Sequence, residues 1–297
     1  MPASRSLDMG GELRCLFFMI PYPVSRVVRL VGAWAFLSAG SLSLAGAGPA
    51  VVLPAKEKLH LFLLAGQSNM AGRGAVKDLA EADAKADGRI LALNRDGAWQ
   101  PAVDPLHWDK AGSGVGPGKA FALAVAAKTP GVTIGLIPTA CGGSPISTWE
   151  PGKSWEQTKS NPWDDAMVRA KQAMKDGTLK AILWHQGESD SSPKLAAVYE
   201  EKLTALIARF RAELNAPNLP FIIGQLGKFE AEGAPWNEGK TAVDRAQQAV
   251  AAKVPNVYFV SAEGLGSKGD KLHFSTASAK TLGQRYAEAY LKATGGK

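Results

Sequence analysis

Six short apolar runs alternate along this chain with stretches of helical periodicity, and that alternation leaves few architectures open to it. The runs cover residues 59–65, 89–94, 132–139, 180–186, 220–226 and 256–262. The first reads as a buried strand by its length and composition, the second as a weaker one, and the third is β-rich and bounded by Pro and Gly. Helical patterns fall between them, over residues 119–128, 164–175, 194–214, 241–253 and 275–292. The clearest, 194–214, gathers Leu195, Val198, Leu203, Leu206, Ile207 and Phe210 on one side. Ser275 precedes the last as its N-cap. Strands alternating with helices predict an α/β fold, a parallel sheet covered on both faces with right-handed crossovers. The expected arrangement is a single three-layer α/β/α domain over residues 58–297. Two long Gly-, Pro- and Trp-containing stretches, 96–118 and 142–163, read as loops, where function is placed on such a scaffold.

The N-terminus carries a different signal. Arg26 and Arg29 precede an apolar run over residues 30–44, followed by Ala45, Gly46 and Ala47. A positive segment, an apolar segment and a small-x-small site read as a secretory leader over residues 1–47, with Met19 as an alternative start and 48–57 as a linker. The apolar run is shorter than a membrane span of ~20 residues and is diluted by Gly and Ser. The expected mature protein is therefore secreted or periplasmic, with no stable membrane insertion; an uncleaved anchor is the alternative. Of the two cysteines, Cys15 lies in the leader and Cys141 is left alone, which predicts no intramolecular disulfide. The net charge of +7 is spread without a dense Lys/Arg run, which argues against a nucleic-acid partner.

Four segments carry chemistry, and each follows a predicted strand. In "LFLLAGQSNMAGRG", Gly66 permits a sharp turn and Ser68 sits between a strand end and a helix that Asn69 and Met70 begin. This resembles a nucleophile elbow, although Met70 stands where the second glycine of Gly-x-Ser-x-Gly would be. In "GDKLHFS", Asp270 and His273 lie three residues apart, between the last strand and the last helix. A serine hydroxyl needs a general base, histidine titrates near working pH, and a carboxylate can orient its ring. In "WHQGESD", Gln186 can donate an amide hydrogen to an oxyanion, Glu188 can orient a neighbour or contact a hydroxyl, and His185 is an ordinary strand-end histidine. In "TACGGSPISTW", Gly142 and Gly143 let the backbone approach a ligand, and a glycine amide can be another oxyanion donor. The four histidines lack metal-ligand spacing and no phosphate loop occurs, so neither metal nor organic cofactor is expected.

Together "GQSNM", "GGSPISTW", "WHQGES" and "DKLHF" resemble the SGNH hydrolase superfamily, and within it the sialate O-acetylesterase and acetylxylan esterase group, carbohydrate esterase family 6. The resemblance runs over residues 59–289. It implies a flavodoxin-like sheet of about five parallel strands. It also implies Ser68 as nucleophile, His273 as base, Asp270 as its partner, and an oxyanion hole from the amides of Ser68 and Gly143 with the side chain of Gln186. Glu188 is a rival for the acid role, and it and Asn69 are candidate accessory residues. The expected activity is serine-dependent hydrolysis of acetyl esters on glycans of the sialate or xylan type, with an acetylated carbohydrate as partner. The alternatives are a general or lipase-like esterase of the same superfamily and a non-catalytic glycan-binding protein. Trp99, Trp108, Trp149, Trp155 and Trp163, all in predicted loops, are candidates to line a glycan cleft. The particular glycan, the hydroxyl and the oligomeric state are not legible in the sequence.

Overall fold

In the computed structural model, which describes residues 51–233 and 235–295, the apolar runs become strands and the periodic stretches helices. In chain order these are β1 (Leu59–Gly66), α1 (Ser68–Ala71), α2 (Glu81–Ala84), β2 (Ile90–Leu93), β3 (Trp99–Pro101), α3 (Pro117–Lys128), β4 (Thr133–Pro138), α4 (Pro162–Ala173) and β5 (Thr178–His185). They continue with α5 (Pro193–Ala196), α6 (Tyr199–Glu213), β6 (Phe221–Gly224), α7 (Glu238–Lys253), β7 (Val257–Val260) and α8 (Thr276–Ala293). The leader read over residues 1–47 lies outside the described residues, and the linker read over 48–57 lies partly outside them. Among the described residues no helix is long and apolar enough to cross a membrane.

The strands form one sheet in the order β3-β2-β4-β1-β5-β6-β7. All neighbours pair in parallel except β2 and β3, which form an antiparallel edge hairpin. The sheet thus has seven strands, not the expected five. Its inner five, β4-β1-β5-β6-β7, numbered among themselves in chain order, run 2-1-3-4-5, the flavodoxin-like order. β2 and β3 are an insertion between β1 and β4 that extends this core by one edge. β3 falls in the stretch 96–118 that reads as loop, because three residues, two of them exposed, carry no alternation to detect.

Side-chain alternation along β1 explains the layering. Leu59, Leu61, Leu63 and Ala65 face one way, into a core completed by α4, α6 and α7, while Phe62 and Leu64 face the other, into a core completed by α3 and α8. A strand buried on both faces reads as a continuous apolar run, which is why residues 59–65 read as a buried strand. The single helix read over residues 194–214 is two. Val198 has φ −111° and ψ 6° and interrupts the turn between α5 and α6, so Leu195 and Val198 leave the core face and are 36% and 38% exposed. Leu203, Leu206, Ile207 and Phe210 stay buried.

The chain runs from β1 to β4 on one side and returns to β5 on the other, so β1 and β5 form the point where connections diverge. Ligands in open α/β sheets lie beyond the carboxyl ends of strands at such a point. The first residues after β1 and β5 are Gln67 and Gln186.

Candidate active site

β1 ends in Gly66, whose φ of +122° and distance of 2.2 Å from an added Cβ to the His185 carbonyl leave room for no side chain. The chain folds over β5 there, with the Gln67 amide donating to His185 O at 2.8 Å, and delivers Ser68 onto the sheet's carboxyl end. Ser68 opens α1, a single turn, and is 7% exposed. Its own amide makes no hydrogen bond among the described residues.

The hydroxyl of Ser68 lies 3.0 Å from Nε2 of His273, and Nδ1 of His273 lies 2.7 Å from Oδ2 of Asp270. A ring that donates its Nδ1–H in a hydrogen bond to Asp270 presents a lone pair at Nε2, which accepts from the serine. The segment that carries this pair is tightly wound. Asp270 Oδ1 accepts from the amides of Leu272 and His273 at 3.0 and 2.8 Å, and Lys271, between the aspartate and those donors, takes a φ of +57°. Burial alone would raise the Asp270 carboxyl, but these donors and the adjacent imidazole hold it at about 2. Burial lowers His273 below its ordinary value, and Asp270 opposes that only in part.

Asn69 joins the pieces. Its Oδ1 accepts from the amide of Phe274 at 3.2 Å, and its Nδ2 donates to Leu272 O at 3.2 Å and to Glu188 Oε1 at 2.6 Å. Glu188 therefore reaches the histidine loop through Asn69, while Asp270 touches the ring itself. Glu188 lies 3.8 Å from Nε2 of His185, but burial raises the glutamate and pushes the histidine down to about 3. His185 is therefore neutral, and the two make no ion pair. His185 itself is a core histidine at the end of β5, edge-on to Phe274.

Gln186 does not stand where the sequence reading put it. It is fully buried, and its Nε2 donates to Asp190 Oδ2 at 2.6 Å, Ser144 O at 3.1 Å and Gln67 Oε1 at 3.2 Å, while its Oε1 accepts from Tyr199. An amide with every donor engaged has none to offer an oxyanion. The glutamine missed was Gln67. Its Oε1 accepts from Gln186 Nε2 and faces the amides of Gly187 and Ser189 at 3.4 Å, which fixes the carboxamide. Its Nε2 has no partner among the described residues and is not sealed from solvent.

The turn after β4 supplies another free amide. Gly143 has φ +78°, and its N–H makes no hydrogen bond among the described residues. Its carbonyl accepts from Ser189 Oγ at 2.9 Å, which ties this turn to the exit of β5. Among the described residues three donors on the turns at this rim thus stand unpaired: the Ser68 amide, that of Gly143 and Nε2 of Gln67. A hydroxyl, an imidazole and a carboxylate in series beside such donors can run acyl transfer.

Of the five tryptophans proposed for a cleft, Trp149 and Trp163 are core residues, at 0% and 3% exposure, and Trp99 donates to Asp176 at the sheet edge. Trp155 donates to the Gly142 carbonyl in the turn after β4, and Trp108 lines a cavity with Cys141. Cys141 is buried with a free thiol that burial pushes up to about 11, unsuited to act as a nucleophile. Among the described residues no three His, Cys, Asp or Glu side chains gather as metal ligands would.

A family model described as carbohydrate esterase, sialic acid-specific acetylesterase, matches residues 58–292. A probable carbohydrate esterase of Arabidopsis thaliana is 37% identical over 251 residues, covering 78% of this chain and 90% of that protein. A solved structure of an Arabidopsis thaliana protein superposes with a TM-score of 0.70 at 34% identity, over 80% of this chain and 99% of the other. A solved carbohydrate acetylesterase from Xanthomonas citri gives a TM-score of 0.63 at 25% identity, over 80% of this chain and 57% of that one. NanS shares the fold, with a TM-score of 0.64 at 18% identity over 82% of this chain and all of its own.

Proposed function

This chain belongs to the carbohydrate esterase, sialic acid-specific acetylesterase family, and on that premise we propose that it is a serine esterase that removes acetyl groups from glycans. One observation carries the reading: the 3.0 Å and 2.7 Å contacts that join Ser68, His273 and Asp270, which lie 205 and 3 residues apart along the chain.

The mechanism follows from those contacts. Ser68 Oγ attacks the acetyl carbonyl as His273 Nε2 takes its proton, and Asp270 stabilises the imidazolium so formed. The carbonyl oxygen becomes an oxyanion, met by the N–H groups of Ser68 and Gly143 and by Nε2 of Gln67. Fixed donors of this kind contribute about 3 kcal/mol each to the transition state. Collapse of the tetrahedral adduct breaks the bond to the sugar oxygen, which leaves with the proton from His273. Water then enters, gives a proton to His273 and attacks the acetyl-serine. Acetate departs, and the proton returns to Ser68.

The glycan side of the reading is supported by a cavity of about 440 Å³ lined by Thr139, Ala140 and Cys141, the residues that lead from β4 into the Gly142–Gly143 turn, and not by the Ser68, His273 and Asp270 side chains themselves. Trp108, Arg169, Ser160 and Cys141 are among the residues that line it, and the Arg169 guanidinium stacks 4.6 Å from the Trp108 ring centre. A stacked indole is a rigid platform, and its uncovered face suits a pyranose ring. The same reading takes the protein as exported, on the pattern over residues 1–47.

The test is release of acetate from acetylated xylan, acetylated sialosides and a series of 4-nitrophenyl esters. The wild type should release acetate from at least one glycan and lose rate sharply beyond butyrate. Ser68→Ala should lower turnover by about 10³-fold or more with an unchanged melting temperature. Retained turnover in that variant excludes Ser68 as the nucleophile.

A further inference from the structure

An oxyanion donor is useful only if its N–H points at the reacting centre before the substrate arrives, and the Gly142–Gly143 peptide is poorly suited to hold itself. Neither residue has a Cβ, so rotation of the peptide plane between them meets little steric resistance. Gly143 also sits at φ +78°, in the region open to glycine. Something outside the turn has to fix that plane.

We infer that Trp155 is a positioning residue for the oxyanion hole, locking the Gly142–Gly143 peptide from behind, with Asp109 holding the amide before it. The indole Nε1–H of Trp155 donates to the carbonyl of Gly142 at 3.1 Å. A trans peptide is planar, with its C=O and N–H pointing in opposite directions. A donor that grips the Gly142 oxygen therefore aims the Gly143 N–H the other way, where it makes no hydrogen bond among the described residues. Trp155 is itself anchored. It pairs with Ser160 across a small antiparallel bridge, with amide-to-carbonyl distances of 2.8 and 3.3 Å. Its ring packs near Gly143, with Cζ2 3.6 Å from where a Cβ would stand.

The amide of Gly142 is held separately, by Asp109 Oδ2 at 2.7 Å. That carboxylate is bound by Arg73 through contacts of 2.6 and 3.3 Å and by the Ser113 hydroxyl at 2.6 Å. Burial would raise Asp109, but Arg73 and Ser113 outweigh it and keep the carboxyl below its ordinary range, so the acceptor is ionised. An added Cβ at Gly142 would lie 2.4 Å from Arg73 Nη2 and 2.6 Å from Asp109 Oδ2, so the pair closes directly on the turn. Arg73 lies just past α1, the turn that presents Ser68, so one ion pair ties the nucleophile's segment to the turn that faces it.

This inference rests on the serine mechanism proposed above, with the Gly143 amide as one of its oxyanion donors, and the experiment separates a failure at Trp155 from a failure of that mechanism. Trp155→Phe keeps an aromatic ring and deletes the N–H. Its kcat on 4-nitrophenyl acetate should fall about 10- to 100-fold, with KM changed less than about twofold. Affinity for a boronic acid that forms a tetrahedral serine adduct should fall by a similar factor, while the pH profile stays that of the wild type. Should Trp155→Phe not fold, benzothienylalanine at position 155 removes the N–H and keeps the bicyclic shape, and the same loss is expected. An unchanged kcat, or a loss carried by KM, overturns the inference. If that occurs while Ser68→Ala is inactive, only the role of Trp155 fails; if Ser68→Ala is active, the serine mechanism fails instead.

Discussion

His273 has to be neutral at rest to accept a proton, and its surroundings favour that. Burial lowers its pKa below 6.5, and the hydrogen bond and charge of Asp270 raise it in opposition. On acidification kcat/KM should therefore fall through an apparent pKa below 6.5. Asp270→Asn removes the raising influence, so the acid limb should move to still lower pH while kcat drops by up to about 10⁴-fold. A pH–rate profile of the two proteins checks this, and a limb that moves upward in the variant contradicts the assignment of Asp270. At this scale the sequence points to Ser68, Asp270 and His273, the side chains that the structure brings into contact, because each follows a strand and the last two are close in the chain. It was a poor guide to the glutamines. Gln67 and Gln186 both follow strands, and nothing in their spacing says which amide is free. That is decided by Asp190 and Tyr199, whose side chains consume the Gln186 carboxamide, and by the donors that converge on Gln67 Oε1.

Among the elements, α6 carries the core behind the site. Phe210 is fully buried, with ring centres 4.8 Å from Trp163, 6.1 Å from Phe221 and 6.5 Å from Trp149. Phe210→Ala should cost about 3–5 kcal/mol, measured by urea unfolding. Leu195→Ala, at a residue 36% exposed on α5, should stay within about 0.5 kcal/mol. Equal losses at the two positions would mean that the break at Val198 does not hold in solution. Periodicity put both residues on one face because it counts spacing and cannot see one residue leave helical backbone angles. The edge hairpin escaped notice for a related reason. β2 was visible through its four buried apolar residues, whereas β3 follows from pairing across a turn and not from its own composition.

For the whole molecule, strand order accounts for the convergence. The 2-1-3-4-5 core brings the ends of β1, β4 and β5 side by side, and the loop after β7 reaches them by way of Asn69. Segments more than a hundred residues apart become neighbours because a parallel sheet delivers every strand's carboxyl end to the same rim. The alternation of runs and helices forecast that rim, but the order of strands along it could not be counted from the sequence. The most direct measurement of the central claim is covalent. A fluorophosphonate reacts with a hydroxyl only where a base and an oxyanion hole activate it, and mass spectrometry locates the adduct. One phosphonyl group per chain, on Ser68, with loss of esterase activity in proportion, is the predicted result. Full activity after saturation, or an adduct on another residue with Ser68 unmodified, would contradict the account.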